Sequence, residues 1–137
     1  MGAPSVLVDA GFLVAFLNRR DRHHAWAIAQ ARRTPPPWKT CESALSEAFH
    51  LVEAHGVNPL TALLEREVVV CAFDLDLEVR TVLRLMRKYA SVPMSLADAC
   101  LVRMTETLPD PVVLTTDRDF RVYRRHGRQL VPTAMPA

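Results

Sequence analysis

A chain of 137 residues can bury one substantial core but is short for two ordinary domains, so a single domain over residues 1–137 is expected. With 50% hydrophobic and 23% charged residues, intrinsic disorder is excluded. No apolar run approaches the roughly 18 residues of a membrane span, and the opening lacks a basic head before a long apolar stretch, so a cytoplasmic protein is expected. The net charge of +2 is too small to declare a nucleic-acid binder by itself. Lys39 and Lys88 are the only lysines, however, so almost all positive charge is arginine, whose planar fork suits phosphate and carboxylate. For composition alone, a GC-rich coding sequence is the better account of the arginine and proline content. Cys41, Cys71 and Cys100 lie far apart in apolar or helical contexts, which points to reduced packing thiols rather than a zinc or disulfide framework.

Ser5-Val6-Leu7-Val8 is a short apolar run without polar alternation, the pattern of a strand buried on both faces, and it ends on Asp9. Gly11 lets the chain turn off this strand, and Phe12 to Leu17 begin a short helix. Asn18 to His24 is the most polar stretch of the chain. Asp21 is placed to cap a second helix running through Ala31, which Pro35-Pro36-Pro37 stops. Trp38-Lys39-Thr40 reads as a brief second strand. Ala44, Leu45, Ala48, Phe49, Leu51 and Val52 mark a helix carrying Glu47, with His55-Gly56 as its stop and Asn58-Pro59 opening another helix through Leu64.

Val68 to Phe73 is the third strand. Asp74 to Tyr89 is amphipathic, and Ser91-Val92-Pro93 interrupts it. The helix beginning at Ser95 is apolar nearly all round and therefore buried. After Pro109-Asp110-Pro111, residues Val112 to Thr116 form a fourth strand, Asp117 to Phe120 lead into a short basic helix ending near Gly127, and Gln129-Leu130-Val131 reads as a fifth, edge strand. Strands alternating with helices predict an α/β fold with a mainly parallel sheet of four to five strands.

Four carboxylates share a topological position. Asp9 and Asp117 directly follow buried strands, Asp98 lies in the first turn of the buried helix, and Glu47 lies in the helix after the second strand. In a parallel sheet these positions can face the same edge, where ligands bind in open α/β folds. Acids gathered there repel one another and hold protons unless a cation intervenes, and all-oxygen ligation selects a hard ion such as Mg2+ or Mn2+. Each acid also has a plainer reading. Asp9 is as well explained by helix capping as by function, Asp98 sits at a capping-box spacing after Ser95, Glu47 alone reads as a solvated helix residue, and Asp117 and Asp119 suit a helix N-terminus.

Taken together, Val6-Leu7-Val8-Asp9, Ser46-Glu47, Ser95-Leu96-Ala97-Asp98-Ala99 and Thr115-Thr116-Asp117-Arg118-Asp119-Phe120 resemble the ordered motifs of PIN-domain ribonucleases, in particular the small bacterial VapC type of toxin. The resemblance implies a three-layer α/β/α sandwich and metal-dependent hydrolysis of RNA phosphodiesters. It places Asp9, Glu47, Asp98 and Asp117 in the four acidic positions as catalytic and Mg2+- or Mn2+-binding residues. Asp119 is then a candidate fifth acid and Thr115 a supporting hydroxyl. Gly11 departs from the pattern, since Ser or Thr often stands there in relatives. Asp21 and His24 also resemble a recurring pair at the start of the second helix, although capping, packing or solvent exposure explains His23 and His24 better than metal ligation.

The resemblance further implies a cognate antitoxin, usually a small DNA-binding protein whose tail occupies the acidic groove, and a homodimer. Arg19, Arg20, Arg22, Arg118 and Arg121, with Arg124 and Arg125, are candidates to hold the RNA backbone, each singly as well read as a solvated arginine. No aromatic ladder for stacking bases is evident. Two rival readings stand beside this one. A catalytically silent PIN-like module would bind RNA or protein only. Phosphoryl transfer through an aspartyl-phosphate at Asp9 would use the same strand-end acid, but Gly11 occupies the second place of the usual Asp-x-Asp pair.

Overall fold

The computed structural model describes residues 3–137. Its framework is a five-stranded sheet formed by β1 (Ser5–Val8), β2 (Trp38–Thr40), β3 (Val69–Cys71), β4 (Pro111–Leu114) and β7 (Thr133–Ala134). They are all parallel and lie in the order β3-β2-β1-β4-β7. The chain builds outward from β1 through β2 to β3, then crosses back to place β4 on the other side of β1. The sheet order therefore reverses between β1 and β4, and the crevice outside the carboxyl ends of those two strands is the natural ligand site.

β1 is buried at every residue, as its unbroken apolar run predicts. Leu7 joins Val113 in a core beneath α5 (Leu75–Lys88) and α6 (Leu96–Thr107). Val6 and Val8 point to the opposite face, where Leu114 and Trp38 pack with residues of α1 (Ala10–Leu17), α2 (His24–Arg33) and α4 (Glu53–Glu65). The alternation of side chains along each strand thus feeds two separate cores. The result is a three-layer α/β/α sandwich, in agreement with the fold expected from the sequence. α3 (Glu42–Leu51) reaches both layers, with Ala44 in one core and Ala48 in the other. All three cysteines are free, Cys41 and Cys100 buried and Cys71 exposed.

Several boundaries differ from the sequence reading. α1 begins at Ala10 with Asp9 as its cap, so Gly11 lies inside the helix rather than at a turn. α2 begins at His24, because Asp21 spends its carboxylate on the preceding turn by accepting the His23 N–H at 2.8 Å. His55-Gly56 does not stop a helix and Asn58-Pro59 does not open one. The break falls at Val52 and Glu53, the latter at φ 60°, and α4 runs through both expected boundaries. Gly56 is present for space: a Cβ there would stand 2.5 Å from the Val52 Cβ.

The stretch after Asp117 forms one 3-10 turn over Arg118–Arg121 and then an antiparallel hairpin of β5 (Arg124–Arg125) and β6 (Gln129–Leu130). His126 and Gly127 make its tight turn, both with positive φ. Gln129-Leu130-Val131 is therefore not the fifth strand of the main sheet. That place belongs to Thr133–Ala134, two residues too short to carry a periodic signal. Among the described residues, no helix is long and apolar enough to cross a membrane.

Candidate active site at the carboxyl edge of the sheet

Asp9 is the first residue beyond β1, and the chain's need to start a helix there fixes its carboxylate. Oδ1 accepts the Phe12 N–H at 2.8 Å, which caps α1 and satisfies one of its free amides. Oδ2 accepts the hydroxyl of Thr115, the first residue beyond β4. The same Thr115 oxygen accepts the Asp117 N–H at 2.9 Å, so one hydroxyl ties together the two strand ends at the point where the sheet order reverses. The side chain of Asp117 then caps the 3-10 turn by accepting the Asp119 N–H at 2.9 Å.

Asp98 enters from the first turn of α6. With Ser95 it forms a reciprocal capping box, Ser95 Oγ accepting the Asp98 N–H at 3.0 Å and Asp98 Oδ2 accepting the Ser95 N–H at 3.4 Å. The cap does not exhaust the carboxylate, which also accepts the Tyr123 hydroxyl at 3.0 Å. Capping and a place in the site are therefore not alternatives for Asp98. Glu47 projects from α3 at the exposed rim.

Asp9, Glu47, Asp98 and Asp117, from four different elements, line a single cavity of about 140 Å3 together with Gly11, Leu51 and Ala97. Burial pushes Asp9 up to about 7, against the opposing hydrogen bonds from Thr115 and Phe12, and the negative charges of Asp117 and Asp98 add to the rise. Asp98 is raised chiefly by burial, with Asp117 reinforcing the shift and Tyr123 and Ser95 opposing it. Glu47 is raised by burial and by Asp98 and Asp117. Asp9, Glu47 and Asp98 are each harder to ionise for having another carboxylate of the cavity nearby.

None of the four forms an ion pair among the described residues. Among those residues no three acidic, histidine or cysteine side chains stand already in a chelating arrangement. The donor set is nonetheless of the kind a hard divalent cation takes: four carboxylate residues line one small cavity that no basic side chain lines.

Asp119 does not line this cavity. It acts on the site at one remove, its negative charge being among those that raise Tyr123. His24 is engaged in packing, its Nδ1 lying 2.7 Å from the Ala15 carbonyl oxygen. Two residues near the site have no role assigned to them in the sequence reading, where Thr116 stands only as part of a motif. Tyr123 is fully buried and reaches Asp98, but lies 25 residues away in a stretch that reads as basic helix. Thr116 explains Gly11: a Cβ at position 11 would stand 2.6 Å from the Thr116 Oγ1 and 3.5 Å from an Asp9 oxygen. The absent side chain at residue 11 is thus replaced in space by the hydroxyl of Thr116.

The arginines divide. Arg22 and Arg118 line one cavity of about 220 Å3 with His23 and Thr116. Arg19 and Arg20 line another, with Glu53 and His55. Arg121 is exposed, and its carbonyl accepts from Arg124 Nη1 at 2.7 Å. Arg124 Nη1 also bonds the carbonyls of Val122 and Tyr123, and Arg125 Nη2 bonds the Thr105 carbonyl. Arg124 and Arg125 thus help to hold the hairpin in place.

The profile of the PIN domain family matches residues 6–126. No curated protein matches the chain in sequence. Among solved structures, the fold is similar to that of Mycobacterium tuberculosis VapC20, described as a sarcin-ricin loop cleaving toxin, with a TM-score of 0.76 over 86% of this chain and 94% of that one. At 22% identity the likeness is one of fold.

Proposed function

The chain belongs to the PIN domain family, and from that premise we propose that it is a metal-dependent endoribonuclease acting as the toxin of a toxin-antitoxin pair. The observation that carries this reading is the convergence of Asp9, Glu47, Asp98 and Asp117 on one cavity at the switch point of the sheet, with no cation among them. The description of the structurally similar VapC20 as an RNA-cleaving toxin supports the substrate class.

In this reading Asp9, Asp98 and Asp117 hold Mg2+ or Mn2+, and Glu47 completes the set from the rim. Such an ion, when bound there, would lower the pKa of a water and offset negative charge on a phosphate. Asp9 is held in a fixed orientation by Phe12 and Thr115, so little reorganisation is needed when charge develops beside it. Glu47, exposed and not fixed by a cap, is the acid with freedom to accept a proton from the attacking water. Tyr123 orients the Asp98 carboxylate by donating to Oδ2. A cognate antitoxin, a homodimer and a cytoplasmic location belong to the same proposal.

Incubation of a labelled single-stranded RNA with the protein and increasing Mn2+ tests it. The expected result is cleavage that rises with Mn2+ and is abolished by EDTA. RNA binding without cleavage at any concentration of Mn2+ or Mg2+ overturns the enzymatic reading in favour of a silent binding module.

A further inference from the structure

Residues 116–118 separate two cavities of opposite character. Asp117 lines the acidic one, while its neighbours Thr116 and Arg118 line a second cavity of about 220 Å3. Arg22 and His23, from the polar loop between α1 and α2, line the second cavity together with Met135, Pro136 and Ala137. Its position follows from the topology. Thr116 lies just beyond β4 and Met135 just beyond β7, so this cavity opens on the same carboxyl edge of the sheet, one strand outward from the acids.

The lining carries two guanidinium groups, an imidazole and a hydroxyl, and no acidic side chain. Neither Arg22 nor Arg118 forms an ion pair among the described residues, and both are exposed. Arg103, by contrast, is held by Glu78 and Glu106. Asp21 and Asp117 each accept a backbone N–H, from His23 and Asp119 respectively, and Asp119, the other neighbour of Arg118, does not line this cavity. Unpaired arginines around a concave site are the arrangement that takes a phosphate in forked, charge-assisted hydrogen bonds.

We propose that the cavity formed by Arg22, His23, Thr116 and Arg118 is a binding subsite for a backbone phosphate of the RNA flanking the phosphate at the acidic cavity. The inference rests on the proposed nuclease function for the identity of the ligand, but not for the existence of the subsite. It also answers an electrostatic difficulty, since an acidic cavity alone repels a polyanion. Of the arginines considered from the sequence, it assigns substrate contact to Arg22 and Arg118, and not to Arg19 and Arg20, whose cavity also holds Glu53.

The test is equilibrium binding of a fluorescein-labelled single-stranded RNA in EDTA, where cleavage cannot occur. The wild type is compared with Arg22→Gln, Arg118→Gln, the double variant and, as a control, Arg80→Gln on the exposed face of α5. The double variant is expected to bind about tenfold more weakly, and the slope of log affinity against log salt to shrink by about 0.7 for each phosphate no longer neutralised. Inorganic pyrophosphate should compete with RNA for the wild type and not for the double variant. Binding and salt slope equal to those of wild type and Arg80→Gln overturn the subsite. If the arginine variants lose metal-free binding while the wild type never cleaves with Mn2+, the subsite stands and the nuclease assignment falls. If cleavage occurs and is indifferent to both arginines, the reverse holds.

Discussion

Replacing Asp9 by Asn should stabilise the metal-free protein at neutral and alkaline pH, because the fold holds this carboxylate where ionisation is costly. Asp9 is 6% exposed and raised from 3.8 to about 7, with burial the largest cause. A shift of about 3 pKa units corresponds to about 4 kcal/mol between the two protonation states. Because the folded value lies above the unfolded one, the stabilising contribution of protonated Asp9 is fully present below pH 3.8, is lost as pH rises through about 7, and stays lost above it. An Asn carries no such titration. It can still accept the Phe12 N–H, but it weakens the bond with Thr115 at a cost of about 1 kcal/mol.

The Asn variant should therefore be more stable than wild type by about 3 kcal/mol at pH 8 in EDTA, that cost being set against the 4 kcal/mol or so of relieved ionisation. The advantage should shrink through the acid range and vanish or reverse near pH 4. Urea unfolding followed by far-ultraviolet circular dichroism at several pH values measures the difference directly. Millimolar Mn2+ should stabilise the wild type by mass action and leave the variant unchanged. A variant less stable than wild type at pH 8 in EDTA, or a difference independent of pH, would show that burial does not strain this carboxylate.

Thr115→Val removes the hydroxyl shared by Asp9 and the Asp117 N–H, and should cost about 1–3 kcal/mol in urea unfolding because buried polar partners are orphaned. Tyr123→Phe removes the donor that lowers Asp98, so Asp98 rises further and the acid limb of a pH–rate profile should move to higher pH. Gly11→Ala drives a Cβ to 2.6 Å from Thr116 Oγ1 and should destabilise by about 1–3 kcal/mol. Adding Thr116→Gly should relieve most of that loss, which a double-mutant cycle detects. Gly56→Ala should cost a similar amount against Val52.

The layer order and the strand carrying Asp9 are legible in the sequence because a strand buried on both faces has no alternative to an unbroken apolar run, and Ser5–Val8 has one. The four acids are legible because each sits at a fixed offset from a strand end or a helix start. What the sequence hides is whatever depends on space rather than on period. Gly56 reads as a helix stop, yet it is required by the close approach of Val52 in a helix that continues. Gly11 reads as a turn residue and a missing hydroxyl, whereas in the fold the Thr116 side chain fills its place. Tyr123 is invisible because its partner Asp98 is close only after α6 and the 3-10 turn have packed. Two-residue strands such as Thr133–Ala134 are set by pairing with β4, not by any pattern of their own. The arginine-rich tail looks uniform in sequence, but the hairpin consumes Arg124 and Arg125 and leaves Arg118 free of ion pairs among the described residues.

If the carboxylates around the small cavity act together on RNA, removing the charge of one should abolish cleavage without loosening the RNA. A single-turnover time course with Asp98→Asn tests this most directly, with RNA binding in EDTA measured on the same preparation. Asn keeps the size of the side chain and an oxygen for the Ser95 and Tyr123 hydrogen bonds, so the fold and RNA affinity should persist. The predicted result is wild-type binding with Mn2+-dependent cleavage reduced by at least about 100-fold, equivalent to about 2.7 kcal/mol of transition-state stabilisation. Cleavage by Asp98→Asn at the wild-type rate, with the same dependence on Mn2+, would contradict a joint role for the four acids.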